Sequence, residues 1–375
     1  MAHVIVGGGL AGASAVEELR EQGYDGDVVV LGAESYLPYH RPPLSKEVLL
    51  GKEEADGTDV HDAQWYADQG VDMRTGSAAR RIDRLRQVVE TDAGDVAYER
   101  LLLATGSEPR RLPVEGAVYL RTRDDSRALR AALLQQPRVL VVGGGWIGLE
   151  VTAAARAAGC EVTVVEPQAQ PLLGVVGERV GSMFADLHRE HGVDLRLGTS
   201  FDGTPPVPAD LVLVAVGAVP RVDLARDAGL DVDNGVLVDA TLRTSDPLVL
   251  AAGDIAAHDH PVFGRLRVEH WDNAIEQGKA AARVMLGGTE AYERSPYFFT
   301  DQYDLGMEYV GHVPREHLGS VVVRGDLAAR QAVVFWHDAG RVLGAMHVNE
   351  WDAIDEMREL VGQTVDPDQL SRRTT

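Results

Sequence analysis

The sequence predicts an α/β protein with two Rossmann-like dinucleotide-binding domains and a C-terminal α+β domain, and three observations carry that prediction. The first is a duplication. The apolar strand 4–6 runs into Gly7, Gly9 and Gly12, a helix-like stretch follows, and Glu34 closes a second apolar strand, Val28–Leu31. The same order returns with strand 139–142, Gly143, Gly145 and Gly148, strand 162–165 and Glu166. Each copy has the parts of a pyrophosphate site: glycines that let the backbone approach phosphates, a helix N-terminus facing the negative charge, and an acid for a ribose hydroxyl. The acids follow the last glycine by 22 and 18 residues, near the roughly 20 expected. One such motif is a weak signal; two suggest two nucleotides, one held and one exchanged. The second observation is that the halves match further on: strand 101–103 ends in Ala104, Thr105 and Gly106, and the run 211–216 ends in Gly217. The third is a change of pattern after Pro296, from alternating strands and helices to strands in succession.

Length and composition bound the rest. At 375 residues the chain exceeds what one core holds, since single cores rarely grow past ~250 to 300 residues. A charged fraction of 25% and an apolar fraction of 45% are ordinary for a globular protein. The net charge of −22 offers no positive field to a polyanion, which argues against nucleic acid and anionic membrane as partners. Arginines cluster at Arg80, Arg81, Arg84 and Arg86 and again within 121–130, where solvated faces are expected. No stretch approaches the ~20 apolar residues of a membrane span, and the first glycine motif begins almost at the N-terminus, so a cytoplasmic location is expected. The single cysteine, Cys160, reads as a small buried packing residue. One thiol excludes a dithiol within the chain, and no metal site is expected. Lysine is scarce, with Lys46, Lys52 and Lys279 against 33 arginines, so each lysine stands against a strong compositional drift.

In chain order, the first nucleotide unit is followed by a turn-rich loop, 36–45, a helical segment, 65–69, and an antiparallel meander within 73–96. Residues 1–113 and 236–290 are assigned to the first, discontinuous domain. A helix over 126–134 precedes the second nucleotide unit, which continues through a helix near 184–188, and 114–235 forms the second domain. Apolar run 248–252 leads into Gly253 and Asp254, and 268–273 precedes a helix over 274–285. Strands 321–323, 332–336 and 342–348 with a helix over 351–360 make the third domain, 291–375.

Several segments resemble the two-dinucleotide-domain flavoproteins of the glutathione-reductase superfamily: Ala104-Thr105-Gly106-Ser107 after a strand, Ala215-Val216-Gly217, Ala252-Gly253-Asp254, and the paired glycine motifs. Within it, Tyr39-His40-Arg41-Pro42-Pro43-Leu44-Ser45-Lys46, Arg267-Val268-Glu269-His270-Trp271-Asp272-Asn273-Ala274 and Pro296-Tyr297-Phe298-Phe299-Thr300-Asp301-Gln302 together resemble the ferredoxin reductases of oxygenase electron-transfer chains. The resemblance covers nearly the whole chain, with three long motifs in order. It implies FAD on the first unit and NADH on the second. Asp254 would hold the ribityl chain, the competing reading being a helix N-cap before 255–257. Arg41, Arg110, Glu269, His270 and Trp271 would also face the cofactor.

The resemblance further implies that Lys46 lies beside the flavin, where an ammonium offsets the charge of the reduced ring, paired with Glu150 on the second domain. The competing readings are a surface lysine and a first-turn acid favoured by the helix dipole. No cysteine lies near residues 40–50, so the chemistry of disulfide reductases is not available. Glu166 would accept from both ribose hydroxyls and repel a 2′-phosphate, making NADH the donor; no arginine lies within 167–174. Two departures stand out. The family's meander between Arg196 and Asp210 is replaced by a short stretch with three prolines, and Phe299 stands where relatives often carry tryptophan. The implied partner is an iron-sulfur ferredoxin of the two-iron type, with the chain a monomer or a homodimer. Rubredoxin reduction, NADH oxidase or diaphorase activity, and a redox sensor resembling apoptosis-inducing factor stay open as alternatives.

Overall fold

A computed structural model describes residues 1–372. The chain packs into two compact units, the first made of Met1–His40, Asp56–Glu108 and Ala218–Pro296, the second of Arg41–Ala55, Pro109–Gly217 and residues from Tyr297 onward. These boundaries differ from those expected. Residues 218–235, expected with the second nucleotide domain, contribute Val222, Ala225 and Leu230 to the core of the first unit. Loop 41–55, expected with the first domain, belongs to the second unit because its 3-10 turn packs on helices Arg123–Leu133 and Trp146–Ala157.

The first unit is organised by a parallel sheet in the order Val71–Arg74, Val28–Leu31, Ala2–Val6, Gly94–Leu103, with Val249–Ala251 beyond it. Near-continuous valine, leucine and isoleucine runs suit strands covered on both faces, and Val4, Ile5, Leu101, Leu102 and Leu103 are fully buried. The meander Ala79–Asp83, Val88–Thr91 and the first half of Gly94–Leu103 is antiparallel. Helices Leu10–Glu21 and Trp271–Met285 cross where Gly278 lies against Ala11; a Cβ on Gly278 would come within 2.3 Å of the Ala11 carbonyl oxygen. Helix Trp271–Met285 starts three residues before the expected 274.

The second unit holds a four-stranded parallel sheet, in the order Asp194–Leu197, Glu161–Glu166, Arg138–Val142, Leu211–Val214, and a five-stranded antiparallel sheet, Tyr297–Gln302, Leu305–Gly311, Arg341–Val348, Gln331–Asp338, Val321–Asp326. No strand lies between Leu197 and Leu211, as the three prolines lead one to expect. The first two strands of the antiparallel sheet form a tight hairpin through Tyr303 at φ +57°, a pair the alternation of the sequence does not single out. The C-terminal segment expected as one helix is a 3-10 turn, Trp351–Ala353, followed by helix Ile354–Leu360. Trp336 is fully buried. So is Cys160, whose thiol burial pushes up and away from the reactive thiolate.

Among the described residues no helix is long and apolar enough to cross a membrane. The first arginine cluster forms no free basic patch: Arg80 pairs with Asp92, Arg81 with Glu90, Arg84 with Asp246 and Arg86 with Asp95.

Candidate active site

Two glycine turns, one in each unit, share one geometry. Gly7 leaves its strand at φ +132°, and a Cβ there would lie 2.1 Å from the Ala104 carbonyl oxygen; one on Gly12 would lie 2.3 Å from the Gly7 carbonyl oxygen. Gly9 has nothing within 4 Å. In the second turn the corresponding distances are 2.4 Å from Gly143 to the Ala215 oxygen and 2.2 Å from Gly148 to the Gly143 oxygen, while the nearest atom to Gly145 is 4.0 Å away. The outer glycines are thus demanded by backbone packing, and the middle one leaves its face open for a phosphate to approach. Gly9 and Gly145 are also the N-caps of helices Leu10–Glu21 and Trp146–Ala157, and neither helix has a side-chain cap. Uncapped amides with a helix dipole behind them favour an anion. The two cradles fit the diphosphates of two dinucleotides.

The acids that close the two motifs are fixed by local contacts. Glu34 Oε2 accepts from the Tyr39 hydroxyl at 2.5 Å. Glu166 is buried; its Oε2 accepts from the Gly144 amide at 2.7 Å and its Oε1 from the Gln168 amide at 2.9 Å. The carboxylate is therefore held against its own glycine turn, with further lone pairs to offer a ribose.

Lys46 follows the 3-10 turn Pro42–Ser45, and Glu150 lies in the second turn of helix Trp146–Ala157. The Lys46 Nζ is 3.1 Å from Glu150 Oε1, and the side chains are only 7% and 6% exposed. The readings of Lys46 as a surface residue and Glu150 as a first-turn acid therefore do not hold: the two charges are buried against each other. A buried pair is costly unless hydrogen bonds complete it. Here the Ser45 hydroxyl donates to Glu150 Oε2 at 2.5 Å and the Thr300 hydroxyl to Oε1 at 2.6 Å. Phe299 places its ring centroid 5.0 Å from Nζ, within cation–π range. Sequence reasoning misses Ser45 and Thr300 as site residues, because a hydroxyl beside a lysine or in a strand has no period or spacing of its own.

Asp254 sits in the 3-10 turn Gly253–Ile255, and its Oδ2 accepts from the Ser107 hydroxyl at 2.7 Å. The N-cap reading fails because the chain continues into strand Ala256–His260. Arg267 donates to the Asp254 carbonyl at 3.0 Å and pairs with Glu269. His270 is the N-cap of helix Trp271–Met285, and Trp271 Nε1 donates to His40 Nδ1 at 3.0 Å. Thr105 Oγ1 donates to the Arg221 carbonyl at 3.0 Å, and Gly106 adopts φ +69°. In the second unit the Arg110 amide donates to the Gly217 carbonyl at 2.9 Å, and the Arg41 guanidinium to the Arg121 carbonyl at 2.6 Å.

Two matched cradles and a buried ammonium–carboxylate pair, with no reactive thiol, define a pyridine-nucleotide oxidoreductase of the two-nucleotide type. The chain belongs to the pyridine nucleotide-disulphide oxidoreductase family, which matches residues 1–278, and residues 297–373 match the reductase C-terminal family. It is 41% identical to the anthranilate 1,2-dioxygenase system ferredoxin--NAD(+) reductase component of Burkholderia cepacia, over 99% of this chain and 97% of that one. Putidaredoxin reductase CamA of Pseudomonas putida is 37% identical over 96% and 91% of the two chains. Among solved structures, the covalent putidaredoxin reductase–putidaredoxin complex superposes with a TM-score of 0.94 at 35% identity, covering 100% of this chain and 96% of that one. The redox groups of these reductases are FAD and NADH.

Proposed function

We infer that this chain is an NADH-dependent ferredoxin reductase, which takes two electrons from NADH and passes them singly to two molecules of a two-iron ferredoxin that serves an oxygenase or a haem monooxygenase. The observation that carries this reading is the buried Lys46–Glu150 pair in a chain with two nucleotide cradles and no thiol to do disulfide chemistry. Its relatives with 37% and 41% identity along almost their full length bear names of such reductases. A cytoplasmic location suits a protein that draws on NADH.

Bound FAD supplies the exchange between a two-electron donor and one-electron acceptors. The chain supplies position and field. The Gly7–Gly9–Gly12 turn, Glu34, the 104–106 loop and Asp254 would hold FAD, with Arg41, Arg110, Glu269, His270 and Trp271 as its further contacts. The Gly143–Gly145–Gly148 turn, Glu166 and Gly217 would hold NADH, and the fixed Glu166 carboxylate would exclude a 2′-phosphate. Lys46 holds a positive charge where negative charge grows in the reaction, and Glu150, Ser45 and Thr300 keep that ammonium in place. Hydride transfer needs no general acid or base, so none is assigned.

The test is anaerobic. NADH added to the FAD-loaded protein should bleach its visible absorbance far faster than NADPH, and oxidised two-iron ferredoxin should then restore it. Bleaching that persists with ferredoxin present would contradict electron transfer to that partner.

A further inference from the structure

The contacts of Glu150 continue past Lys46 within the second unit. Thr300, which donates to Glu150, lies 3.2 Å from Gln302 Nε2; Gln302 Oε1 lies 2.9 Å from His188 Nε2; and His188 Nδ1 lies 3.2 Å from the Tyr303 hydroxyl. Thr300 and His188 are fully buried and Gln302 nearly so, while Tyr303 is half-buried and stacks on His191 at 3.6 Å. One proton assignment satisfies every link. An ionised carboxylate only accepts, so Thr300 donates to Glu150, and its oxygen accepts a hydrogen bond from the Gln302 amide nitrogen. The amide oxygen then faces His188, whose Nε2 must carry the ring proton, leaving Nδ1 to accept from Tyr303.

We propose that Thr300, Gln302, His188 and Tyr303 are positioning residues, a one-way chain of donors running from Tyr303 to Glu150 that keeps Glu150 an anion with Oε1 on Lys46. The proposal rests on the reading of Lys46 and Glu150 as the charge pair of an NADH-oxidising flavoprotein. The chain orients groups and does not conduct protons, because the Gln302 amide sits in its middle and an amide does not pass a proton on. Burial holds the His188 imidazole down at about 4, so the neutral ring keeps one tautomer across the working range. The other charges at the inner end are Glu47, Asp301 and Glu308: Asp301, exposed at its own surface, interacts with Lys46, Glu47, Glu150 and Glu308. At the outer end the titratable neighbours of His188 are Tyr303 and His191, and the charge that faces Tyr303 is Arg156.

Two measurements on the FAD-loaded protein test this. With 15N-labelled histidine at pH 7, the His188 ring, identified by its loss in His188→Asn, should show the Nε2–H tautomer; the Nδ1–H tautomer would overturn the chain. In stopped flow, the acid limb of NADH bleaching should move up by about one pH unit in Gln302→Met and in Thr300→Val, about a tenfold slower rate at a pH on that limb. Thr300→Ser, which restores the hydroxyl, should return the limb to its wild-type position. A limb that does not move in either donor-deleting variant sinks the proposal. If wild-type protein is not bleached by NADH, it is the functional reading that has failed, and the tautomer alone then decides for or against the chain.

Discussion

At the scale of single residues, the site turns on a charge pair that is expensive to bury and therefore sensitive to change. Removing one partner of such a pair costs about 3 to 5 kcal/mol, so Glu150→Gln should lower the melting temperature by several degrees. Lys46→Met keeps the length of the side chain and removes its charge. It should slow flavin reduction by NADH on the order of 10²-fold without loss of FAD; a wild-type rate in stopped flow would remove Lys46 from the chemistry. Glu166→Ala should narrow the preference for NADH over NADPH, read as the ratio of kcat/KM values, and an unchanged ratio would contradict its role. Lys46 is visible in the sequence because lysine is rare in this chain, and Glu150 because a motif resemblance points to it. Ser45, Thr300 and Ser107 are not, since what makes them matter is a partner 105, 150 or 147 residues away, and a hydroxyl advertises no partner.

At the scale of elements, the strand-turn-helix units are legible because their constraints are local: a valine-rich run, then glycines that the backbone of the next turn cannot do without. The helix crossing in the first unit follows the same logic at longer range. Gly278 faces the Ala11 carbonyl oxygen at a distance no Cβ tolerates, so Gly278→Val should force helices Leu10–Glu21 and Trp271–Met285 apart. The expected cost is about 1 to 3 kcal/mol, seen as a lower urea midpoint and weaker retention of FAD; an unchanged midpoint would show that the crossing relaxes. Elements whose shape depends on partners are less legible. The helix expected over 274–285 begins at Trp271, with His270 in extended backbone as its N-cap. Hairpin 297–311 does not separate into two strands by pattern, since Tyr297–Gln302 packs on helix Trp146–Ala157 and its sequence is apolar on both faces near Phe298 and Phe299.

At the scale of the whole molecule, the duplication predicts two nucleotide-binding units, and their extents are fixed by packing that local pattern does not encode. Residues 218–235 follow the second nucleotide motif in sequence yet bury their apolar side chains in the first unit's core. Acid stability is also a property of the whole chain. Burial holds His188 and His258 at about 4, and His3 and His312 also below the ordinary value. Such groups are neutral when folded and protonate near 6.5 when unfolded, so unfolding takes up protons and stability falls as pH drops from about 6.5 to about 4. His188 and His258 each contribute up to about 3 kcal/mol to that loss. His258→Gln should flatten the fall of melting temperature between those pH values, and an unaltered slope would show that this ring is not the source.

The central claim is electron transfer from NADH through this chain to an iron-sulfur protein. It is tested most directly by NADH-driven reduction of cytochrome c with and without added two-iron ferredoxin. The account predicts a rate that rises steeply with ferredoxin and saturates. A rate that ferredoxin leaves unchanged, while NADH still bleaches the protein, would contradict it.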